Sequence, residues 1–504
     1  MDKSIIIVGA GIAGLSAGCY ARMNGYRTTI FEMHDIPGGL CTGWKRHGYT
    51  IDGCIHWLVG SRPGTGLRQV WDEIGALHGQ TVVDHEEFVR IEAPDGRTLV
   101  IYTDVDRFEQ HLLELSPRDR KPIAELTRVV RKMAHFDMPT ERAPELLSFG
   151  DRMRALPALL RILPLFVKYG KTTLKQFAQR FSDPFLREAL GSFYNLDGFP
   201  FIAMAATLGW MNTKNAGYPI GGSREFAESV ARRYVDLGGE VRYGARVTQI
   251  IVERDRAVGV RLENGEECRG DWVISAADGH ATIYQMLAGQ YIDDELRAVH
   301  ARLKPFDPLV HIAVGVARNL SAEPHNVVRQ LKEPVTVAGR SQQQLGIRHF
   351  CYDRTLAPEG KSVITGMLRS DYDYWKALGA GSERYLAEKQ AILNWFIDRL
   401  DERFSGIRDS IEMTDVATPL TFERYTGNWR GSFEGWQITT DTLTMRMNKT
   451  LPGLGGFFMI GQWVNPGGGL PPAAADGKFV IQLLCDADSK AFRAKGAQGT
   501  YSTS

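Results

Sequence analysis

The stretch SIIIV, residues 4–8, followed by GAGIAG and then LSAGCYARMNGY, leaves few folds open to this chain. A short continuous run of β-branched apolar residues reads as a strand buried on both faces, and the small apolar residues after the turn read as a buried helix. Strand, glycine turn and helix in that order form the first half of a βαβ nucleotide site. Gly9 supplies the tight turn, Gly11 the close approach of a pyrophosphate, and Gly14 the close packing of helix on strand. The next strand, RTTIFEM, ends in Glu32, about twenty residues on, where an acid accepts hydrogen bonds from a ribose. The pattern predicts an α/β chain with a Rossmann-type dinucleotide-binding domain.

A second glycine-dense stretch, GQWVNPGGGLPPAAADGK at residues 461–478, leads into an apolar helix. Glycines let backbone approach a ligand, and a helix start aims its free N–H groups and positive dipole end at an anion. Between the two lies HDIPGGLCTGWKRHGYTIDGCIHWLVG, with a further pair at Gly38 and Gly39. An NAD domain does not require this extension, whereas a flavin site needs more backbone to follow the longer cofactor.

The series GxGxxG, Glu32, Gly38-Gly39 and then Asp52-Gly53 resembles the phytoene desaturase, carotenoid isomerase and retinol saturase group of flavoproteins, itself similar to the amine oxidases. Two more stretches carry the resemblance: GYPIGGSREF through the strands around ARVTQI, and GLGGFFMIGQWVNPGGGLPPAAADGK. The resemblance implies FAD as cofactor, with Leu40, Val247 (through its backbone, at the adenine end), Gly461, Gly468, Gly469 and Leu470 added to the contacts already named. It also implies that the PGGG loop and the following helix cover the N1 and O2 edge of the flavin. The substrate portion matches loosely.

Net charge of +1 gives no global field that would draw the chain to nucleic acid, and 43% apolar with 24% charged residues is ordinary globular usage. The six cysteines lack CxxC spacing, so neither a metal site nor a disulfide framework is expected, and a reducing, cytoplasmic compartment is. The chain opens directly into its first strand, without room for a signal peptide, and no run approaches the ~18 apolar residues that span a bilayer. The nucleotide segments divide the chain into a discontinuous FAD domain at 1–75, 218–300 and 450–487. A substrate domain occupies a hairpin at 76–104 and residues 301–449, with a mixed sheet. Residues 105–217 form a helical insertion, and residues 488–504 a disordered polar tail.

Residues 151–181, DRMRALPALLRILPLFVKYGKTTLKQFAQRF, interleave Leu, Ile and Phe with Arg and Lys. They read either as two helices with a core face and a basic solvated face, Pro157 and Pro164 interrupting them, or as a surface lying on the inner face of a membrane.

No HExxH or Walker loop is present, so the chemistry falls to the flavin. In the resembled group a hydride passes between a substrate C–H and flavin N5 while the adjacent carbon exchanges a proton, making or saturating a C=C bond in a long apolar isoprenoid or lipid. A cis–trans isomerase using reduced flavin, an amine-oxidase-like enzyme with Lys304 or Lys361 near N5, and a non-enzymatic flavin scaffold are the alternatives. His56 is the candidate proton-exchanging residue, its alternative being a structural or flavin-bonding histidine. Trp57, Tyr194, Asn195, Trp463 and Asn465 are candidates for the substrate pocket.

Overall fold

The computed structural model describes residues 3–494; residues 495–504 of the expected tail lie outside them. Five parallel strands form one sheet in the order Glu240–Arg242, Arg27–Phe31, Ser4–Val8, Trp272–Ser275, Phe457–Met459. The central strand is apolar at every position after Ser4 because both its faces are covered. Ile5 and Ile7 join the core under the helices, while Ile6 and Val8 meet a three-stranded antiparallel layer through Val247, Ile250 and Val260.

On the helical face the first helix, Ile12–Met23, lies against the last, Leu470–Ala487. Ser16 donates to the Ala474 carbonyl at 2.7 Å, Lys478 sits over the Tyr20 ring, and the Tyr26 hydroxyl reaches Asp488. Contacts that climb in step along both chains mean that the helices run parallel, so their N-termini share one end. A Cβ on Gly477 would come within 2.6 Å of the Ala17 nitrogen, so this glycine is what lets the two helices close.

The second large sheet has seven strands in the order Ile411–Ala417, Leu309–Val316, Ser362–Arg369, Arg340–His349, Asn326–Val337, Glu87–Glu92, Thr98–Tyr102. The last two form the hairpin around Pro94-Asp95-Gly96, joined to the rest by a parallel pairing of Arg90 with Val327. Both sheets and the covering helices give the mixed α/β architecture expected, with residues 105–212 mostly helical.

Two expectations are corrected. The segment with Pro157 and Pro164 is one continuous helix, Phe149–Tyr169. A helix-interior proline costs about 3 kcal/mol from a lost hydrogen bond and a ring clash; here the freed carbonyls belong to Met153 and Leu160, both on an exposed stretch, where water can take them. Nor does this helix have a full core face: Leu165 and Tyr169 are its buried residues. The start of the polar tail is also not loose. Arg493 and Asn24 exchange two hydrogen bonds, and Phe492 packs on Tyr20, returning the chain to the first helix.

Candidate functional site

The three fingerprint glycines are required for different reasons. Gly9 has φ +99°, and a Cβ on Gly14 would lie 2.0 Å from the Gly9 carbonyl oxygen. Gly11, with ordinary φ −68°, is different: its nearest neighbour to a built Cβ is the Gly38 oxygen at 3.9 Å. The fold itself would accept a side chain at Gly11; what glycine keeps clear is the space in front of the helix. No side chain caps that helix start, so its first-turn N–H groups have no partner within the helix. An open cradle with unshared donors at a positive dipole end fits the pyrophosphate of a dinucleotide.

The second glycine pair packs against the first. Gly38 donates to the Ala10 carbonyl, and a Cβ on Gly39 would stand 3.4 Å from the Gly11 Cα. Leu40 continues this turn, its carbonyl accepting from Thr42. Glu32 is buried at the strand end, where its carboxylate accepts the N–H groups of Ala10 at 2.7 Å and His34 at 2.9 Å. Burial raises its pKa, and those two N–H bonds pull it back. Ala245 donates to the Glu32 carbonyl, which brings the start of the strand Val247–Glu253 alongside the acid.

The C-terminal loop closes over the same end. A Cβ on Gly461 would meet the Ala13 Cβ at 3.3 Å, so Gly461 rests against the first turn of the first helix. Its N–H is held by Asp476, which also takes the Asn465 amide and faces Lys449. Gly467, Gly468 and Gly469 all have positive φ, as the loop requires. The helix that follows carries Pro471 and Pro472 in its first turn, so it offers its dipole and the Leu470 N–H but few other donors.

Glu434, unsignalled in the sequence, stands beside this loop: a Cβ on Gly469 would lie 3.7 Å from its Oε1. Burial, with no cation to offset it, pushes its carboxyl up to about 8. It is therefore mostly a neutral acid at pH 7, able to donate a hydrogen bond or a proton.

His56 follows the strand Tyr49–Asp52 and lines a cavity of about 30 Å³ with Trp57, His85, Phe88, His325 and Arg348. Burial first, then the Arg348 cation and His311, hold its pKa well below the usual histidine range. His56 is thus a neutral imidazole at pH 7 and not a group that titrates there. Trp57 meets Phe88 edge-on at 5.2 Å, and Phe88 in turn touches the Tyr194 ring, so these three candidates form one aromatic wall. Asn195 instead occupies a left-handed turn, donating to Ser192. Trp463 is buried against Trp436 with its indole on Asn428, and Asn465 is committed to Asp476. A cleft of about 1910 Å³ opens at the other end of the first helix around Met23, Asn24 and Arg233, away from the glycine cradle.

Residues 12–480 match the family described as flavin containing amine oxidoreductase. The chain is similar to a neurosporene-forming phytoene desaturase of Rhodobacter capsulatus, at 25% identity over 96% of this chain and 94% of the relative. It is also similar to a chloroplastic prolycopene isomerase of Daucus carota, at 24% identity over 94% of this chain and 79% of the relative. In fold it resembles an oxidoreductase from Methanosarcina mazei with a TM-score of 0.60 at 18% identity, covering 95% of this chain and 100% of that one.

Proposed function

Because the chain belongs to the family of flavin containing amine oxidoreductases, it is a flavin-dependent oxidoreductase, and we propose that its flavin is FAD and its substrate a long apolar polyene in which it makes or removes a C=C bond. The observation that carries this reading is the nearly end-to-end similarity to a phytoene desaturase and a prolycopene isomerase. When bound, FAD would supply the acceptor or donor of hydride.

The chain's own groups do the rest. First-turn N–H groups beyond Gly11 would hold the pyrophosphate, and Glu32 would accept from the adenosine ribose. Glu434 keeps a proton beside the PGGG loop, and Trp57, Phe88 and Tyr194 keep water from the reacting carbons. Isomerisation without net redox is the second reading, favoured by the isomerase among the relatives. The amine-oxidase reading loses its lysines: Lys361 is paired with Glu412, and Lys304 is exposed.

Delivery of such a substrate is where the helix Phe149–Tyr169 enters. Phe149 and Val167 are 80% and 79% exposed, and Met153, Leu159, Leu160 and Leu163 lie between them, also exposed. Among the described residues no helix is long and apolar enough to cross a membrane. We propose that this helix lies in the interface of a bilayer, on its inner face. Each half-exposed side chain withdrawn from water contributes on the order of 1 kcal/mol. Lys168 and Lys171 are paired with Glu125 and Asp441, so these two cations are partly neutralised before any headgroup is met.

Anaerobic incubation of the FAD-loaded protein, in one arm oxidised and in the other reduced with dithionite, with long polyenes in vesicles and separately with a diamine, tests the reading. Products lighter or heavier by two hydrogens, or isomerised at equal mass, support it. Amine oxidation with the polyenes untouched overturns it.

A further inference from the structure

Arg348, near the end of the strand Arg340–His349, makes no ion pair among the described residues. Nothing among them accepts a hydrogen bond from its guanidinium; the side chain is half-buried in the cavity wall, and desolvation draws its pKa down. The acids nearby are engaged. Asp52 takes the N–H groups of Cys54 and Ser223, the Ser223 hydroxyl and the Tyr218 hydroxyl. Asp353 takes the N–H groups of Gly221 and Thr355 together with hydroxyls of Tyr218 and Thr355. At the cavity mouth, Glu87 is gripped by two bonds from Arg90, and Asp84 is exposed.

A cation partly withdrawn from water with no counter-ion is costly. A fold that builds one into a cavity wall has left room for the missing partner.

The groups around it are donors that add no charge. His56, His85 and His325 all have their pKa values lowered, chiefly by burial, so each is a neutral imidazole with one N–H to give. His85 and His325 stack at 3.9 Å, and the His85 Nε2 is buried without a partner. No group of His, Cys and acids among the described residues could hold a metal ion. The remaining wall is apolar, from Trp57, Phe88, Met211 and Ala216.

We propose that this cavity receives the carboxylate head of an otherwise apolar substrate, with Arg348 gripping both oxygens through its fork of N–H groups and the imidazoles completing the hydrogen bonds. This rests on the reading of a long apolar substrate and narrows it to one with an acidic end. A single guanidinium balances one negative charge, which suits a carboxylate better than a phosphate or diphosphate. The same cation repels an amine.

The test is equilibrium binding of oleate, methyl oleate and dodecyl phosphate to the flavin-loaded protein, followed by the flavin difference spectrum and by ligand displacement. Oleate is expected to bind at least tenfold more tightly than its methyl ester. Arg348→Gln is expected to abolish that preference while leaving ester affinity and flavin content unchanged, and Arg348→Lys to restore part of it. Equal affinity of acid and ester for the wild-type protein overturns the proposal without requiring any variant to fold, as does an acid preference that survives Arg348→Gln. Dodecyl phosphate binding more tightly than oleate overturns the choice of carboxylate. Acid-selective binding in a protein that transforms no polyene would sink the oxidoreductase reading of the substrate and leave the anion site standing.

Discussion

Replacing Gly11 by alanine, beside the same change at Gly14, separates the glycine kept for a ligand from the glycine kept for the fold. At Gly11 the backbone already has φ −68° and ψ 173°, and the added methyl meets nothing closer than 3.9 Å. The apoprotein should therefore gain about 0.4–1 kcal/mol, through the entropy lost by its unfolded chain. At Gly14 the methyl would stand 2.0 Å from the Gly9 carbonyl oxygen, backbone against backbone with no side chain to swing away, so Gly14→Ala should cost about 1–3 kcal/mol or more. Ligand binding should show the opposite order of causes. A methyl in the path of the pyrophosphate, charged at the same overpacking scale of about 1–3 kcal/mol, weakens FAD roughly 5- to 150-fold. Thermal unfolding of flavin-stripped protein, with FAD titrated by fluorescence quenching, reads both quantities. If Gly11→Ala bound FAD as tightly as the wild type, or destabilised the apoprotein as much as Gly14→Ala, the assignment of the cradle would fail.

His56→Ala is expected to retain flavin and, because the neutral His56 does not titrate near pH 7, to leave the pH profile of turnover unshifted; a profile that loses one limb with the histidine would return the proton to His56 in place of Glu434. Glu434 predicts a pH signature in the apoprotein. Its pKa rises from about 4.3, usual for glutamate, to about 8 on folding, so the native state binds the extra proton and stability falls as pH rises through that window. Glu434→Gln should flatten this slope in denaturant titrations, and a slope unaltered by the change would show the carboxyl to be solvated. Leu160→Glu with Val167→Glu should release the protein from sedimenting liposomes without altering flavin content, whereas wild-type protein that never sediments with liposomes refutes the interfacial helix.

What could be read from the sequence was what lies close together along it. GAGIAG, Glu32 and the PGGG loop are short motifs whose glycines and acid declare local geometry, and the chain assembles them at one sheet end. The cavity around Arg348 is built differently. Its members come from residues 56, 85, 325 and 348, and the two strands that bring the last pair, Asn326–Val337 and Arg340–His349, carry polar runs such as QLKEP and SQQQ that hide strand alternation. An arginine in such a run looks like any surface arginine until the sheet places it. Glu434 was equally silent, because its raised pKa comes from burial beneath a loop some thirty residues further on. The helix through Pro157 and Pro164 shows the converse: two prolines that read as breaks lie within one helix, on a stretch where water can take the carbonyls they free.

The parallel sheet and the paired helices set a timetable for biosynthesis. The first turn of the cradle is made long before its partner, because the helix that lies against it begins at Leu470. With about 450 residues between Gly14 and Leu470, translation at ~5–20 residues per second holds the first half of the cradle waiting for roughly 20–90 s. For much of that interval the strand Ser4–Val8 lacks its neighbour Trp272–Ser275, and four apolar residues with one unpaired edge stand open to other nascent chains. Cofactor capture is therefore a late event in this protein's life, and chaperone demand should be set by the distance between its two glycine loops more than by its overall stability.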